Sequence, residues 1–179
     1  MEVEDLLTNL SKSVVLTMRQ IPQLTLLPVT ELENIPLGRL RRDATRLHAV
    51  CRYRKGVRKA DISGPSDVRC VDVHPAALND DWQRYAAFLL YHEYLHALGF
   101  AGHDKTFRSL EALWPDEVAR NMGQAFGKHL RKRTAKWLWK CPQCSKEYPR
   151  SRRGMGRYRC RECRVTLIDV RAEASGPNA

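Results

Sequence analysis

Acidic residues are scarce in the last third of this 179-residue chain: Arg120 to Arg171 holds 3 Asp and Glu against 16 Lys and Arg, while the remainder holds 17 against 15. A basic third attached to a near-neutral body points to a polyanion-binding module driven by phosphate contacts and counterion release, with a merely solvated basic face as the alternative. Long apolar runs are also lacking. None approaches the roughly 18 residues that a membrane span needs. The longest near the start, Ser13 to Met18, is too short for a signal segment and follows Glu2, Glu4 and Asp5 in place of a basic stretch. From these absences neither a spanning helix nor a secretory leader is expected, and the expectation is a soluble, intracellular, cytoplasmic protein with no membrane partner, nucleoid-associated or nuclear if eukaryotic. Internal repeats are missing, and low complexity is confined to the tail Ala172 to Ala179. With 43% apolar and 28% charged residues, the composition is that of an ordinary globular protein, long enough for one compact domain and a small accessory module.

The apolar periodicity then sets out the elements. Leu6, Leu7, Leu10, Val14, Val15 and Met18 recur at helical spacing and predict a helix over Glu4 to Arg19, stopped near Pro22. From Ile21 to Arg42, Pro28, Pro36 and Gly38 predict an irregular stretch or a short helix. Thr45 to Arg54 and Val68 to Val73 read as neighbouring strands of one sheet. A long helix follows from about Asp80 to Leu98, ended by Gly99. Asp104 is placed to cap a helix from Lys105 to Trp114, and Pro115-Asp116 restarts the chain into a helix through about Thr134.

His92-Glu93-Tyr94-Leu95-His96 falls on the long helix. Residues four apart share a helix face, so His92 and His96 can present two imidazoles to one tetrahedral zinc. Glu93 points to the same side without being a ligand and suits a general base acting on a metal-activated water. His103 offers a third ligand after a short loop in which Gly99 and Gly102 permit a reversal, leaving a fourth position open. His48, His74 and His129 lack partners at ligand spacing and read as surface or satisfied histidines.

Cys141-Pro142-Gln143-Cys144 and Cys160-Arg161-Glu162-Cys163 are two C-x-x-C pairs with 15 residues between them. That spacing matches a structural zinc site, closed by four thiolates and holding a small ribbon together. Two zinc ions are therefore expected, one catalytic and one structural. Cys51 and Cys70 read as buried thiols, with a disulfide as the alternative. Between the cysteine pairs, Lys146, Arg150, Arg152, Arg153, Arg157 and Arg159 mix with Tyr148 and Tyr158, cations and rings suited to nucleic acid.

From about Thr45 to Asp169 these motifs resemble the SprT-like zinc metalloproteases, with the H-E-x-x-H helix, a later histidine, the run from Asp104 to Leu110 with Phe107 and Arg108, and the four-cysteine ribbon. The resemblance implies an α+β fold: a zincin-like domain with a small sheet packed on the H-E-x-x-H helix, followed by the zinc ribbon. The expected boundaries are an N-terminal segment over 1–44, a catalytic domain over 45–135, a basic ribbon over 136–171 and a flexible tail over 172–179. It further implies that His92, His96 and His103 hold catalytic zinc and that Glu93 is the base. The substrate would be protein, associated with or crosslinked to DNA, and the ribbon would contact DNA, including single strands. A substrate strand would align along a sheet edge, Val68 to Val73 or its neighbour.

The loop to His103 is shorter than in many members of that family. It looks like the metzincin pattern H-E-x-x-H-x-x-G-x-x-H, but here Gly102 stands where that histidine belongs, and no Met-turn follows. The YbeY-type zinc endoribonucleases resemble it between the histidines yet usually carry glycine where Glu93 stands. Neither group explains the ribbon. An RNA hydrolase on the same three histidines and a non-enzymatic nucleic-acid-binding adaptor are the alternative functions.

Overall fold

A computed structural model of the protein describes residues 3–172; the expected tail lies outside them beyond Ala172. The fold is mixed α+β and divides into two units, Met1–Phe126 and Gly127–Ala179.

In the first unit, α1 (Val3–Arg19) buries Leu7, Val14, Val15 and Met18 along one face, as its helical spacing dictates. That face packs against α2 (Gln83–Ala97), where Ser11 Oγ and Tyr94 Oη, both buried, share a hydrogen bond of 2.6 Å. Three strands, β1 (Leu37–Arg39), β2 (Ala49–Tyr53) and β3 (Val68–Val73), form a sheet in the order β1-β3-β2. β2 runs antiparallel to β3 with Cys51 opposite Val71, and β1 runs parallel to β3 with Gly38 opposite Asp72. The sheet packs on α2. No helix among the described residues is long and apolar enough to cross a membrane.

Several elements depart from the periodicity. Pro36 and Gly38 predict a break, yet the chain there is a strand. Gly38 is what permits it, because a Cβ at this position would collide with the Asp72 carboxylate, which turns toward Arg52. β3 lies between β1 and β2, so Val68 to Val73 has no open edge; the strand edges near the metal motif belong to its neighbours. β2 begins at Ala49, four residues later than expected. α2 is preceded by a 3-10 turn over Asp80–Trp82. The helix capped by Asp104 is α3 (Lys105–Glu111), shorter than expected, and the next stretch is two helices, α4 (Glu117–Asn121) and α5 (Gly123–Arg133). At their junction a side chain on Gly123 would press on Tyr85 Oη at 3.2 Å, so close approach to α2 fixes that position.

The second unit is a three-stranded antiparallel sheet, β4 (Trp137–Lys140), β5 (Glu147–Arg150) and β6 (Ile168–Arg171), with β4 central. Its core is small: Trp139, Cys141, Cys160 and Leu167, with Tyr148 and Cys163 against it. Cores this small usually need a crosslink or a metal beside them, and the cysteines within this one could supply a metal site.

Candidate metal centres

α2 carries His92 and His96 one turn apart, and the chain must then reverse to deliver His103. Gly99 makes the reversal at φ +100°, a conformation that L side chains rarely adopt. Gly102, expected to share this task, does not take a positive φ. Asp104 then caps α3 by accepting a hydrogen bond from Phe107 N–H at 2.9 Å. The cap starts the helix so that Phe107, fully buried, stands among the histidines with ring centroids 4.9, 4.7 and 4.8 Å from those of His92, His96 and His103.

The three Nε2 atoms converge, His103 lying 3.1 Å from both His92 and His96. Ligand nitrogens about 2.0–2.1 Å from a tetrahedral zinc stand roughly 3.3 Å apart, so the cluster fits that ion. The remote nitrogens are anchored: His92 Nδ1 bonds Glu111 Oε1 at 2.6 Å, and His96 Nδ1 bonds the Phe100 carbonyl at 2.7 Å. With Nδ1–H donating outward, each Nε2 turns a lone pair toward the common point. Burial holds the His96 imidazole down at about 4 and lowers that of His103 as well, keeping both neutral and able to ligate.

Glu111 was not signalled by the sequence. Burial acts to raise its pKa, but hydrogen bonds from His92 and from Arg108, the latter at 2.6 Å, outweigh this and hold the carboxyl down at about 2. Glu93 is in the opposite condition. It is buried, and desolvation raises its proton affinity against the pull of His92 and of the Cys51 N–H, which donates to Oε2 at 2.7 Å. Lys59 lies close enough for its charge to act on Glu93, His96 and His103. His92 and Glu93 line a cavity of about 470 Å³ that runs back along α2 to Tyr85, whose hydroxyl bonds His48 Nδ1 at 2.8 Å. His48 is thus a satisfied histidine that also lines the cavity, while His74 is buried in the first unit beside Phe126.

In the second unit, the ligand atoms of Cys141, Cys144, Cys160 and Cys163 lie within 4.8 Å of one another, as the three histidine atoms do. Cys144 Sγ and Cys160 Sγ are 3.7 Å apart, close to the roughly 3.8 Å that tetrahedral zinc–sulfur bonds of about 2.3 Å require. The site is built from one turn used twice. Cys141 N–H bonds the Lys146 carbonyl and Ser145 N–H returns to the Cys141 carbonyl; Cys160 N–H bonds the Val165 carbonyl and Arg164 N–H returns to the Cys160 carbonyl. Ser145 and Arg164 occupy the same place in each copy, with φ of 57° and 60°. Backbone N–H donation from Cys163, with help from the Tyr148 hydroxyl, pulls the Cys160 thiol down to about 6. Cys163 is pushed up, since a hydrogen bond with Cys144 and burial favour its protonated form. Both centres could therefore hold a metal ion, and their donor sets suit zinc. Cys51 and Cys70 are free thiols on adjacent strands.

The basic residues of this unit are interleaved with rings. Tyr158 stacks on Trp139 with centroids 4.1 Å apart, Arg150 lies over Trp139, and Arg153 and Arg171 both lie over Trp137. Comparison with protein-family models, with curated proteins and with solved structures finds no match to this chain.

Proposed function

We propose that this chain is a zinc-dependent peptidase of the SprT-like kind, built on a zincin-like first unit and acting on proteins associated with or crosslinked to DNA. One observation carries the reading: three imidazoles present their Nε2 atoms to a common point, and the buried Glu93 lines the same cavity as His92. Zinc held by His92, His96 and His103 would supply Lewis acidity, polarising a scissile carbonyl and acidifying water.

Glu93 then acts as the proton carrier. As the oxygen of water bonds to the carbonyl carbon, the carboxylate takes a proton from it, and it delivers that proton to the leaving nitrogen as the carbon–nitrogen bond breaks. The Cys51 N–H holds Oε2, leaving Oε1 for the proton, and burial makes the carboxylate a stronger base than an exposed one. Glu111 and the Phe100 carbonyl keep His92 and His96 oriented, and Phe107 fills the space among the rings. Substrate backbone would lie along β2, which pairs with β3 on one side and with no strand among the described residues on the other. The basic, ring-bearing surface of the second unit supports DNA as the partner that recruits the substrate.

The test is cleavage of a DNA-bound, partly unfolded protein by wild type and Glu93→Ala, with and without single-stranded DNA at one stated salt concentration. Glu93→Ala is expected to bind DNA normally and to lose at least about a hundredfold in cleavage rate. Removal of residues 136–171 is expected to abolish DNA binding. Unchanged proteolysis in Glu93→Ala overturns the mechanism, and Glu93-dependent RNA cleavage without peptide cleavage transfers the site to an endoribonuclease.

A further inference from the structure

The cavity beside Glu93 has a charge pattern that the hydrolytic reaction itself does not need. Three arginines line it: Arg46 from the segment before β2, Arg108 from α3 and Arg120 from α4. Two carboxylates, Glu93 and Glu111, line it as well. Both are engaged, Glu93 with the Cys51 N–H and Glu111 with His92 and Arg108. Arg108 is thereby paired. Arg120 is not: its Nε is shielded from solvent and makes no hydrogen bond. Among the described residues, no carboxylate forms an ion pair with Arg46 or Arg120.

A partly buried guanidinium without an acceptor is destabilising, and an anion entering the cavity would relieve it. The rest of the lining suits a side chain: Leu47, Phe88 and Leu89 supply apolar wall, and the His48–Tyr85 pair supplies a polar one. Tyr85 lies seven residues before His92 on α2, about 10 Å along the helix axis, so the cavity extends away from the reacting centre over the length of one or two substrate residues. About 470 Å³ accommodates a side chain or a chain end rather than a folded surface.

We propose that this cavity is a subsite for a carboxylate of the peptide substrate, bound by Arg120 and Arg46, which makes an acidic group next to the scissile bond preferred. The proposal rests on the peptidase reading for its place in catalysis, but the binding site itself does not require it. The carboxylate can come from an internal Glu or Asp side chain or from the end of the chain.

The experiment uses the zinc-loaded 179-residue chain carrying Glu93→Gln, which stops turnover in every arm. Three hexapeptides are titrated at one salt concentration: an end-blocked peptide with a central Glu, the same peptide with Gln, and the Gln peptide with a free C-terminal carboxylate. At least one carboxylate peptide is expected to bind about tenfold or more tightly than the blocked Gln peptide, and the tighter of the two identifies the source. Arg120→Gln is expected to erase the difference, and Arg46→Gln, at an exposed position, to reduce it, each with unchanged zinc content and thermal unfolding.

Equal binding of all three peptides, or no saturable binding, overturns the proposal. So does displacement by inorganic phosphate or a short oligothymidylate that depends on Arg120 when the peptides show no preference, because the site is then one for phosphate. Cleavage assays with Glu93 restored separate the two readings. Carboxylate-dependent binding with no cleavage of any peptide retains the subsite and removes the peptidase, whereas cleavage indifferent to the carboxylate and to Arg120 retains the peptidase and removes the subsite.

Discussion

Replacing Glu111 by Gln should weaken metal binding at the three-histidine centre while leaving the fold in place. The carboxylate accepts the His92 Nδ1–H at 2.6 Å and an Arg108 N–H at 2.6 Å, and it is held anionic down to about pH 2. Its negative charge would make His92 a more basic ligand, and it fixes the ring orientation that aims Nε2 at the point shared with His96 and His103. An amide of the same shape can still accept one hydrogen bond but supplies no charge. Partners of this kind are worth roughly 10- to 100-fold in metal affinity, about 1.4–2.7 kcal/mol. The assay is competition for Co²⁺ against a chromophoric chelator, since thiolate charge-transfer bands separate the four-cysteine centre from the three-histidine one. Arg108→Gln serves as the comparison and should cost less, because Arg108 is largely exposed and reaches His92 only through Glu111. An affinity within twofold of wild type in Glu111→Gln, with unchanged thermal unfolding, would refute the reasoning.

Phe107→Ala empties a fully buried site among the three imidazoles and is expected to cost about 3–5 kcal/mol in urea unfolding; a cost below about 1 kcal/mol would mean that the rings close over the gap. Ser145→Gly and Arg164→Gly place glycine where the chain already has φ near 60° and should each raise the stability of the zinc-loaded second unit by about 0.5–1 kcal/mol, read from its urea midpoint, with a loss at both positions counting against the geometry. Asp116 caps α4 through Ala119 N–H and pairs with Arg84, and the Arg84 hydrogen bond, more than any other contact, holds its pKa below the usual aspartate value. Its stabilisation is therefore present above about pH 4 and lost as pH falls through the depressed folded value. Asp116→Asn should flatten the fall in stability below about pH 4, and an unaltered acid slope would show that the group contributes nothing there.

The residues legible in the sequence are those whose partners lie one turn or one short loop away. His92, His96 and Glu93 follow from helical periodicity, His103 from a nearby reversal, and the two C-x-x-C turns from their own spacing. What escaped depends on contacts between distant segments. β1 was hidden because Pro36 and Gly38 argue locally against a strand, while the Asp72 carboxylate that makes glycine necessary comes from β3. Glu111 stands 19 residues from His92 with no periodic relation to it, and only the packing of α3 on α2 brings them together. Arg46 and Arg120 meet at one cavity from opposite ends of the first unit's motif region, and His48, isolated in sequence, joins them through Tyr85. Gly102 also lies at a bend, but without the positive φ that makes glycine necessary at Gly99.

The doubled turn of the second unit has a consequence for its stability. Each C-x-x-C half closes on itself through local hydrogen bonds, so an ion held by all four sulfurs would tie together two ends of the 15-residue stretch between Cys144 and Cys160. Such a tie acts as a removable crosslink. By analogy with a covalent one, closing a loop of this length is worth about 3 kcal/mol of chain entropy, but here the gain lasts only while the ion is bound and grows with the logarithm of its free concentration. With an ion on all four sulfurs, the persistence of the folded second unit would become a gauge of metal supply, read by the basic surface that this unit carries.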